Sequence, residues 1–532
     1  MEGGFVIMDY KAIYAAWLDN CAEYKAELEA MSEAEIADAF GSNLKFGTAG
    51  LRGVMGPGTN RMNEYVVRKA TQGLADYLNA NFENPSVAIA YDSRNNSQTY
   101  AQESARVLAA NGVKTYLYSE LMPVPVLSFT VRHLETTCGI VITASHNSRE
   151  YNGYKVYGSD GGQILESAAN EILERIGNVD MFADVKTVDF APAEGSLIEY
   201  VSENVYEAYM AAMLEATDIG DATDVDILYT PLNGSGLRPV TDMFKRCGFD
   251  VRVLDIQREP NGDFPTCTYP NPEMPATYNE ALKAANGCDL IVATDPDCDR
   301  VGCMVKRADG EYQLLSGNEI GTVFTYYMCS LEGVAGKSVV SSIVSTPLID
   351  AIAAAAGVCV RRVLVGFKYI GEQMNDLQEN FLFGFEESNG YLTGLYARDK
   401  DGVCGAHMLC TLAAAYKAQG KTLVDVLDEI YAKFGNCINS TVSIQTEGGP
   451  LMAKVRAAIE AGELAEDVTG TIDYAGGVNG LPKAEVVQFN YADNSRMIIR
   501  PSGTEPKVKL YISAPAKERV DELAAQINAI LD

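Results

Sequence analysis

Apolar positions along this 532-residue chain recur at two spacings, and the alternation between them predicts the architecture. Tyr14, Trp17, Leu18 and Cys21 fall at helical spacing, and an Ala/Glu-rich stretch continues the helical pattern over the first forty or so residues. Short β-rich runs then alternate with amphipathic helical stretches. Residues 85–90 read as a strand, 98–111 as a helix, 113–118 as a strand and 138–144 as a buried strand. The cycle restarts with strand 225–230, helix 237–247 and strands 251–254 and 290–294, and again with strand 337–343, helix 347–356 and strand 362–365. After about Gly435 the order becomes strand-rich, with strands at 441–445, 485–491, 496–500 and 508–512 and a closing helix over 516–531. This predicts three α/β domains with mixed sheets, over residues 1–200, 201–315 and 316–435, and a smaller C-terminal α+β domain over 436–532.

The length exceeds what one hydrophobic core organises, in keeping with several domains. No run of about eighteen apolar residues occurs; the closest approach, Ala351 to Val360, reads as a buried helix end. The N-terminus lacks the pattern of a secretory signal, so a cytoplasmic protein is expected. Lysine and arginine number 42 against 72 aspartates and glutamates, a formal charge of −30. Such a surface repels nucleic acid and anionic membrane, and an anionic substrate would need a local cationic pocket. Twelve cysteines without a C-x-x-C pair and only three histidines argue against structural zinc and for free, mostly buried thiols.

Four segments could carry chemistry. Thr143-Ala-Ser-His-Asn-Ser148 follows a buried strand, where α/β proteins place ligands, and offers Ser145 as a nucleophile; a capped turn is the bland alternative. Asp295-Pro-Asp-Cys-Asp-Arg300 places three carboxylates at alternate positions, which suits one hard cation, with Mg²⁺ favoured. An EF-hand would need Gly and Glu where Arg300 and Lys306 stand, and Asp299 occupies the position a dehalogenase-type phosphatase gives to Thr or Val. Gly384-Phe-Glu-Glu-Ser-Asn-Gly390 offers carboxylates for sugar hydroxyls, or is an acidic turn. Arg500-Pro-Ser-Gly-Thr-Glu505 offers a donor fork, hydroxyls and a backbone able to curl round an anion, or is a hairpin turn. Together they are the parts for phosphoryl transfer on a sugar phosphate, and no Walker A or kinase glycine loop supplies a nucleotide.

The ordered motifs FGTAGLRG (46–53), TASHNSREYNGYKVY (143–157), DPDCDR (295–300), GFKYIGE (366–372), GFEESNGYL (384–392), RDKDG (398–402) and RPSGTEPKVKLY (500–511) resemble the α-D-phosphohexomutase superfamily from Phe46 to the C-terminus. The GFEESNGYL and FGTAGLRG forms look like its phosphoglucomutase-2-type branch, which includes bacterial α-phosphoglucomutases and phosphopentomutases. The resemblance implies four domains round a cleft, a phosphoserine at Ser145, and Mg²⁺ held by that phosphoserine with Asp295, Asp297 and Asp299. It further implies that His146 and Lys155 transfer protons, and that Arg52, Arg300 and Lys400 line the reacting phosphate and sugar. Gly366, Lys368, Glu386, Ser388 and Arg398 would contact the sugar, and Arg500, Ser502, Gly503 and Thr504 the non-reacting phosphate. The implied reaction interconverts glucose 1-phosphate and glucose 6-phosphate, with glucose 1,6-bisphosphate as intermediate and activator, in a monomer or homodimer. Phosphomannomutase or phosphopentomutase activity is the nearest alternative, with a Mg²⁺-dependent phosphatase or a non-catalytic sugar-phosphate binder further off. Two departures stand out: Val365 where many relatives carry Thr, and Asn233 where relatives often carry His.

Overall fold

The computed structural model describes residues 9–47, 50–446, 448–462, 467–501 and 507–531. The chain forms two compact units, one of Met1–Leu314 with Gly390–Ala415, the other of Leu315–Asn389 with Tyr416–Asp532.

The first unit opens with helices Tyr10–Asn20, Lys25–Ala30 and Glu33–Phe40. They close on a small core of Trp17, Cys21, Leu28, Ile36, Ala39 and Phe40, against which Tyr14 and Leu18, the other members of the stripe read from the sequence, also pack. A seven-stranded sheet follows, in the spatial order Phe46–Gly47, Gly50–Val54, Tyr151–Gly158, Cys138–Ile142, Ser86–Tyr91, Lys114–Leu117, Ile198–Tyr200. Its centre is parallel, as a buried apolar strand predicts: Cys138–Ile142, with every residue buried, pairs parallel with Ser86–Tyr91. On its other side it pairs antiparallel with Tyr151–Gly158. That strand is not among those read from the sequence, because Asn152, Gly153 and Lys155 mask its apolar character. All three are buried because they face the neighbouring strands and the reactive loops.

A second sheet orders Val301–Lys306, Leu290–Thr294, Ile227–Thr230 and Val251–Val253, with the first pair antiparallel and the others parallel. The aspartate loop is therefore a hairpin connection, closed where Thr294 faces Val301. Helix Gly402–Lys417 completes this unit's elements, and the amide of Gly402 donates to the carbonyl of Cys298 at 3.0 Å.

In the second unit, strands Cys359–Val363, Ser338–Ser342 and Phe381–Glu386 run parallel. Two elements differ from the sequence reading. Strand Cys359–Val363 begins inside the stretch taken for a helix end and ahead of 362–365, since helix Leu348–Ala355 stops at Ala356–Gly357 and an edge strand tolerates Arg361 and Arg362. Glu386 ends a fully buried strand instead of standing within a loop. The last sheet is wholly antiparallel, in the order Ile438–Gln445, Lys507–Ala514, Arg496–Pro501, Val487–Tyr491, Val468–Asp473. Leu451, Met452 and Val455 of helix Gly448–Ala461 and Val520 and Leu523 of helix Lys517–Leu531 bury its apolar face.

Candidate active site

Ser145 leaves the C-terminal end of the Cys138–Ile142 strand in a left-handed conformation, φ +52°, and is 3% exposed. A non-glycine residue there is strained, by about 1 kcal/mol or more, so the surroundings must impose it. They do so from both sides. The amide of Ser145 donates to Thr143 Oγ1 at 2.8 Å, and Thr143 Oγ1 donates to Asp297 Oδ2 at 3.1 Å. Ser145 Oγ donates to Asp295 Oδ2 at 2.8 Å and lies 3.2 Å from His146 Nδ1. The serine loop and the aspartate loop, 150 residues apart in sequence, therefore meet at the serine oxygen.

Asp295, Asp297 and Asp299 are all buried, and one oxygen from each converges within 4.8 Å of the others. Burial and the two neighbouring carboxylates push Asp295 well above the usual carboxylate range. At Asp297 burial acts the same way but is outweighed by Lys155, whose Nζ lies 2.9 Å from Asp297 Oδ2 and 3.6 Å from Asp299 Oδ2. Lys400 Nζ lies 2.7 Å from Asp299 Oδ2. Even so, Asp297 Oδ1 and Asp299 Oδ1 are buried without a hydrogen-bond partner. Orphaned anionic oxygens aimed at one point, beside a serine hydroxyl, are the donor set of a hard divalent metal, and these residues fit one.

Cations and a neutral base surround this centre. Arg300 bonds Glu273 and lies 4.0 Å from Asp295 and 3.9 Å from Asp299, while Arg52 Nη1 donates to Asn147 Oδ1 at 3.0 Å. Burial, with Arg300 and Arg52, pushes the His146 imidazole well below its ordinary pKa, so it is neutral. Arg398 is buried and donates to the carbonyls of Leu395 and Ala397 at 2.8 and 2.9 Å.

In the second unit, Glu386 Oε1 accepts from the amide of Gly366 at 2.7 Å. Gly366 has φ +127°, a value a side chain would oppose, and opens the helix Phe367–Leu377 that carries the buried Lys368. Glu387 accepts from Ser342 Oγ at 2.9 Å and Ser345 Oγ at 3.1 Å, and Ser388 follows at the half-buried turn. Arg500 lies on strand Arg496–Pro501 opposite Lys509. Burial and Glu387 push the Tyr511 hydroxyl up to about 12 against the opposing charge of Arg500, so the Glu386–Glu387 turn and Arg500 share one electrostatic neighbourhood. Ser502, Gly503 and Thr504 lie outside the described residues.

Both departures from the expected motifs have structural roles. Asn233 has φ +56° and donates through its side chain to the carbonyl of Glu259 at 2.8 Å. Val365 packs against the cluster of Ile343, Leu364, Tyr474 and Ile498. Sequence reasoning missed Arg94, which reaches the serine loop, and Asp399, which bonds Lys400 while accepting from Tyr157 Oη at 2.9 Å. The signal for Arg94 was present: a charged pair, Asp92 and Arg94, at the end of the buried strand beside the serine strand.

A buried serine hydroxyl against a carboxylate triad, on α/β units whose strands end at these loops, is the arrangement that metal-assisted phosphoryl transfer requires. Profiles of the phosphoglucomutase/phosphomannomutase family match the chain in order: alpha/beta/alpha domain I over residues 43–182, domain II over 204–310, domain III over 316–434 and the C-terminal domain over 441–530. The chain is 34% identical to a phosphoglucomutase of Staphylococcus saprophyticus, covering 97% of this chain and 98% of that protein. It is 33% identical to a phosphoglucomutase of Staphylococcus aureus over 100% of both chains. In fold it is similar to parafusin (phosphoglucomutase) from Paramecium in its open form, with TM-score 0.73 at 17% identity over 92% of this chain and 95% of that one. A phosphoglucomutase/phosphomannomutase family protein of Burkholderia thailandensis gives TM-score 0.71 at 19% identity, over 92% and 97% of the two chains. The chain belongs to the phosphoglucomutase/phosphomannomutase family of the α-D-phosphohexomutase superfamily.

Proposed function

We propose that the protein interconverts glucose 1-phosphate and glucose 6-phosphate through a phosphoserine at Ser145 and glucose 1,6-bisphosphate, with Mg²⁺ as cofactor and the bisphosphate as activator. The observation that carries this reading is the 2.8 Å contact between Ser145 Oγ and Asp295 Oδ2 inside a buried carboxylate triad. Mg²⁺, when held by phosphoserine, Asp295, Asp297 and Asp299, supplies charge neutralisation for the phosphoryl group in transit.

The chain's residues do the rest. In the forward half-reaction the bond from phosphorus to Ser145 Oγ breaks and a bond to the 6-hydroxyl oxygen of glucose 1-phosphate forms. The hydroxyl proton passes to Ser145 Oγ, with neutral His146 Nδ1 as the relay at 3.2 Å. Lys155 and Lys400 balance the aspartates and keep the site's net charge from repelling the phosphoryl group. Arg52 and Arg300 bring positive charge to the reacting phosphate, within a molecule of net charge −30 that otherwise repels it. Glu386, Ser388, Gly366, Lys368 and Arg398 hold the sugar, and Arg500 with Ser502, Gly503 and Thr504 holds the other phosphate. The bisphosphate then turns over, and its 1-phosphoryl group returns to Ser145.

The glucose assignment draws on the two full-length phosphoglucomutase relatives. The sugar phosphate is the partner, the working unit a monomer or homodimer, and the compartment the cytoplasm. Among the described residues no helix is long and apolar enough to cross a membrane. A substrate panel primed with glucose 1,6-bisphosphate tests the reading. Glucose 1-phosphate should give the highest kcat/KM among hexose and pentose 1-phosphates, with phosphate on Ser145 by mass. A preference for mannose or pentose phosphate would overturn the sugar assignment, and release of inorganic phosphate as the main product would overturn the mutase.

A further inference from the structure

Arg94 stands outside every motif used above, yet no side chain is spent more completely on the serine loop. It is 3% exposed. Its Nη1 donates to the carbonyls of Ser148 at 2.9 Å and Tyr151 at 3.0 Å, and its Nη2 donates to the carbonyls of Ser145 and Asn147. All four Nη hydrogens thus end on backbone oxygens of one turn. Asp92 balances the charge, its Oδ2 lying 3.4 Å from Nε, and is itself fixed through Oδ1 by Ser97 Oγ at 2.8 Å and the amide of Arg94 at 2.9 Å.

The far side of the guanidinium is sealed by the 258–264 loop. The ring of Phe264 lies 5.0 Å below Arg94 Cζ. Gly262 approaches so closely that a Cβ there would lie 2.3 Å from the amide nitrogen of Asn95 and 2.8 Å from the carbonyl carbon of Arg94. Asn95 Nδ2 also donates to Asp263 Oδ1 at 3.0 Å.

A peptide unit is planar and trans, so its N–H points opposite to its C=O. Drawing the carbonyls of Ser145, Asn147 and Ser148 toward Arg94 therefore turns the amides of His146, Ser148 and Arg149 away from it. None of these three amides donates a hydrogen bond among the described residues. Successive outward amides in a turn with a left-handed residue make an anion-binding concavity. Ser145, at φ +52°, is the left-handed residue of this one.

We propose that Arg94 is a positioning residue of the phosphoryl transfer: its buried guanidinium gathers the carbonyls of the serine loop and so presents the amides of His146, Ser148 and Arg149 to the phosphoryl group on Ser145. The proposal rests on Ser145 being the phosphoserine. It also explains how a strained nucleophile is held without a nucleophile elbow. One cation behind the loop replaces four carbonyl–water contacts and leaves the donors facing the anion.

The decisive variant is Arg94→Lys. It keeps a charge for Asp92 but cannot reach four carbonyls from one ammonium. It should fold, lower kcat about 100-fold, as loss of preorganised donors does, and leave KM within about threefold. Its phosphoserine, formed with glucose 1,6-bisphosphate and followed by intact mass, should hydrolyse faster than that of the wild type. Arg94→Ala should show the same split, with kcat restored by added guanidinium at sub-denaturing concentration and not by ethylammonium. Gly262→Ala, which pushes on the Arg94–Asn95 backbone, should give a weaker form of the same defect. Wild-type kcat and phosphoserine lifetime in Arg94→Lys overturn the inference, as does an activity loss that merely tracks thermal stability and resists guanidinium. Ser145→Ala run alongside separates the two readings. Turnover in that variant would sink the phosphoserine itself, whereas an inert Ser145→Ala beside a fully active Arg94→Lys sinks only the role given to Arg94.

Discussion

Two side chains stand at the centre of the site, and each makes its own prediction. Ser145→Ala removes the oxygen proposed to carry the phosphoryl group while leaving the loop's backbone contacts to Arg94 and Thr143 in place. Mutase turnover should vanish while thermal stability changes by less than about 1 kcal/mol, as measured by coupled assay and denaturant unfolding. Asp297→Asn removes one anion from a set that Lys155, 2.9 Å from Asp297 Oδ2, balances only in part. It should weaken Mg²⁺ binding and lower kcat at least about tenfold, which a Mg²⁺ titration of the rate reads directly. Unchanged kinetics across that titration would make the loop structural. At this scale Ser145 and the three aspartates were raised as candidates by local patterns, a hydroxyl at a strand end and alternating carboxylates, and only the set of segments taken together pointed past the turn reading. Arg94 left only a charged pair at a strand end and Asp399 only a place beside Lys400, since what they hold lies tens to hundreds of residues away.

Helix Gly402–Lys417 is the element that carries most consequence for its length. Its N-terminus is capped by Asp401, whose Oδ1 accepts from the amides of Val403 at 2.8 Å and Cys404 at 3.1 Å. Oδ2 of the same carboxylate accepts from Tyr209 Oη at 2.9 Å and Tyr396 Oη at 2.7 Å. Asp401→Ala would orphan two amides and two tyrosine hydroxyls, so it should destabilise by roughly 3–5 kcal/mol in denaturant unfolding. One turn further on, His407 Nδ1 meets Thr217 Oγ1 at 2.7 Å and Nε2 meets Cys247 Sγ at 3.3 Å, with the Phe249 ring edge and Asp218 beside it. Burial lowers its pKa to about 4 against the partial opposition of Asp218. The folded state therefore binds this proton less readily than the unfolded state, whose histidine titrates near 6.5. The associated stability is fully present above about pH 6.5 and is lost as pH falls toward 4, by roughly 2 kcal/mol at pH 5. Between pH 7.5 and 5, unfolding free energy should fall more in the wild type than in His407→Gln, by that difference. Equal losses would show that His407 does not titrate on unfolding.

For the molecule as a whole, the reaction exchanges the two ends of one substrate. A group that holds the non-reacting phosphate meets the 6-phosphate in one half-reaction and the 1-phosphate in the other. Arg500→Ala should therefore weaken both directions, by roughly 2–4 kcal/mol in kcat/KM for glucose 1-phosphate and for glucose 6-phosphate alike. Glucose 1,6-bisphosphate should also escape before it turns, so the variant should need more of it in the assay. A defect in one direction only, with no bisphosphate released, would remove Arg500 from that role.

The sequence by itself determined the alternation of strands and helices and the family. Apolar runs and helical stripes are short-range features, and helix 237–247 and strand 290–294 appear in the structure with the ends read from the sequence. Strands Tyr151–Gly158 and Phe381–Glu386 escaped: Asn152 and Lys155 of the first are buried against the loops beside them, and Gly384 and Glu386 of the second read as part of a turn. Only tertiary structure decided that Ser145 Oγ would lie 2.8 Å from Asp295 and that the serine would take a left-handed backbone. It also decided that Asn233 serves a turn and that one arginine would gather four carbonyls. Residue types announce which chemistry is possible. Desolvation, strain and the direction of a peptide dipole depend on what lies on the other side of the loop, and folding alone brings that there.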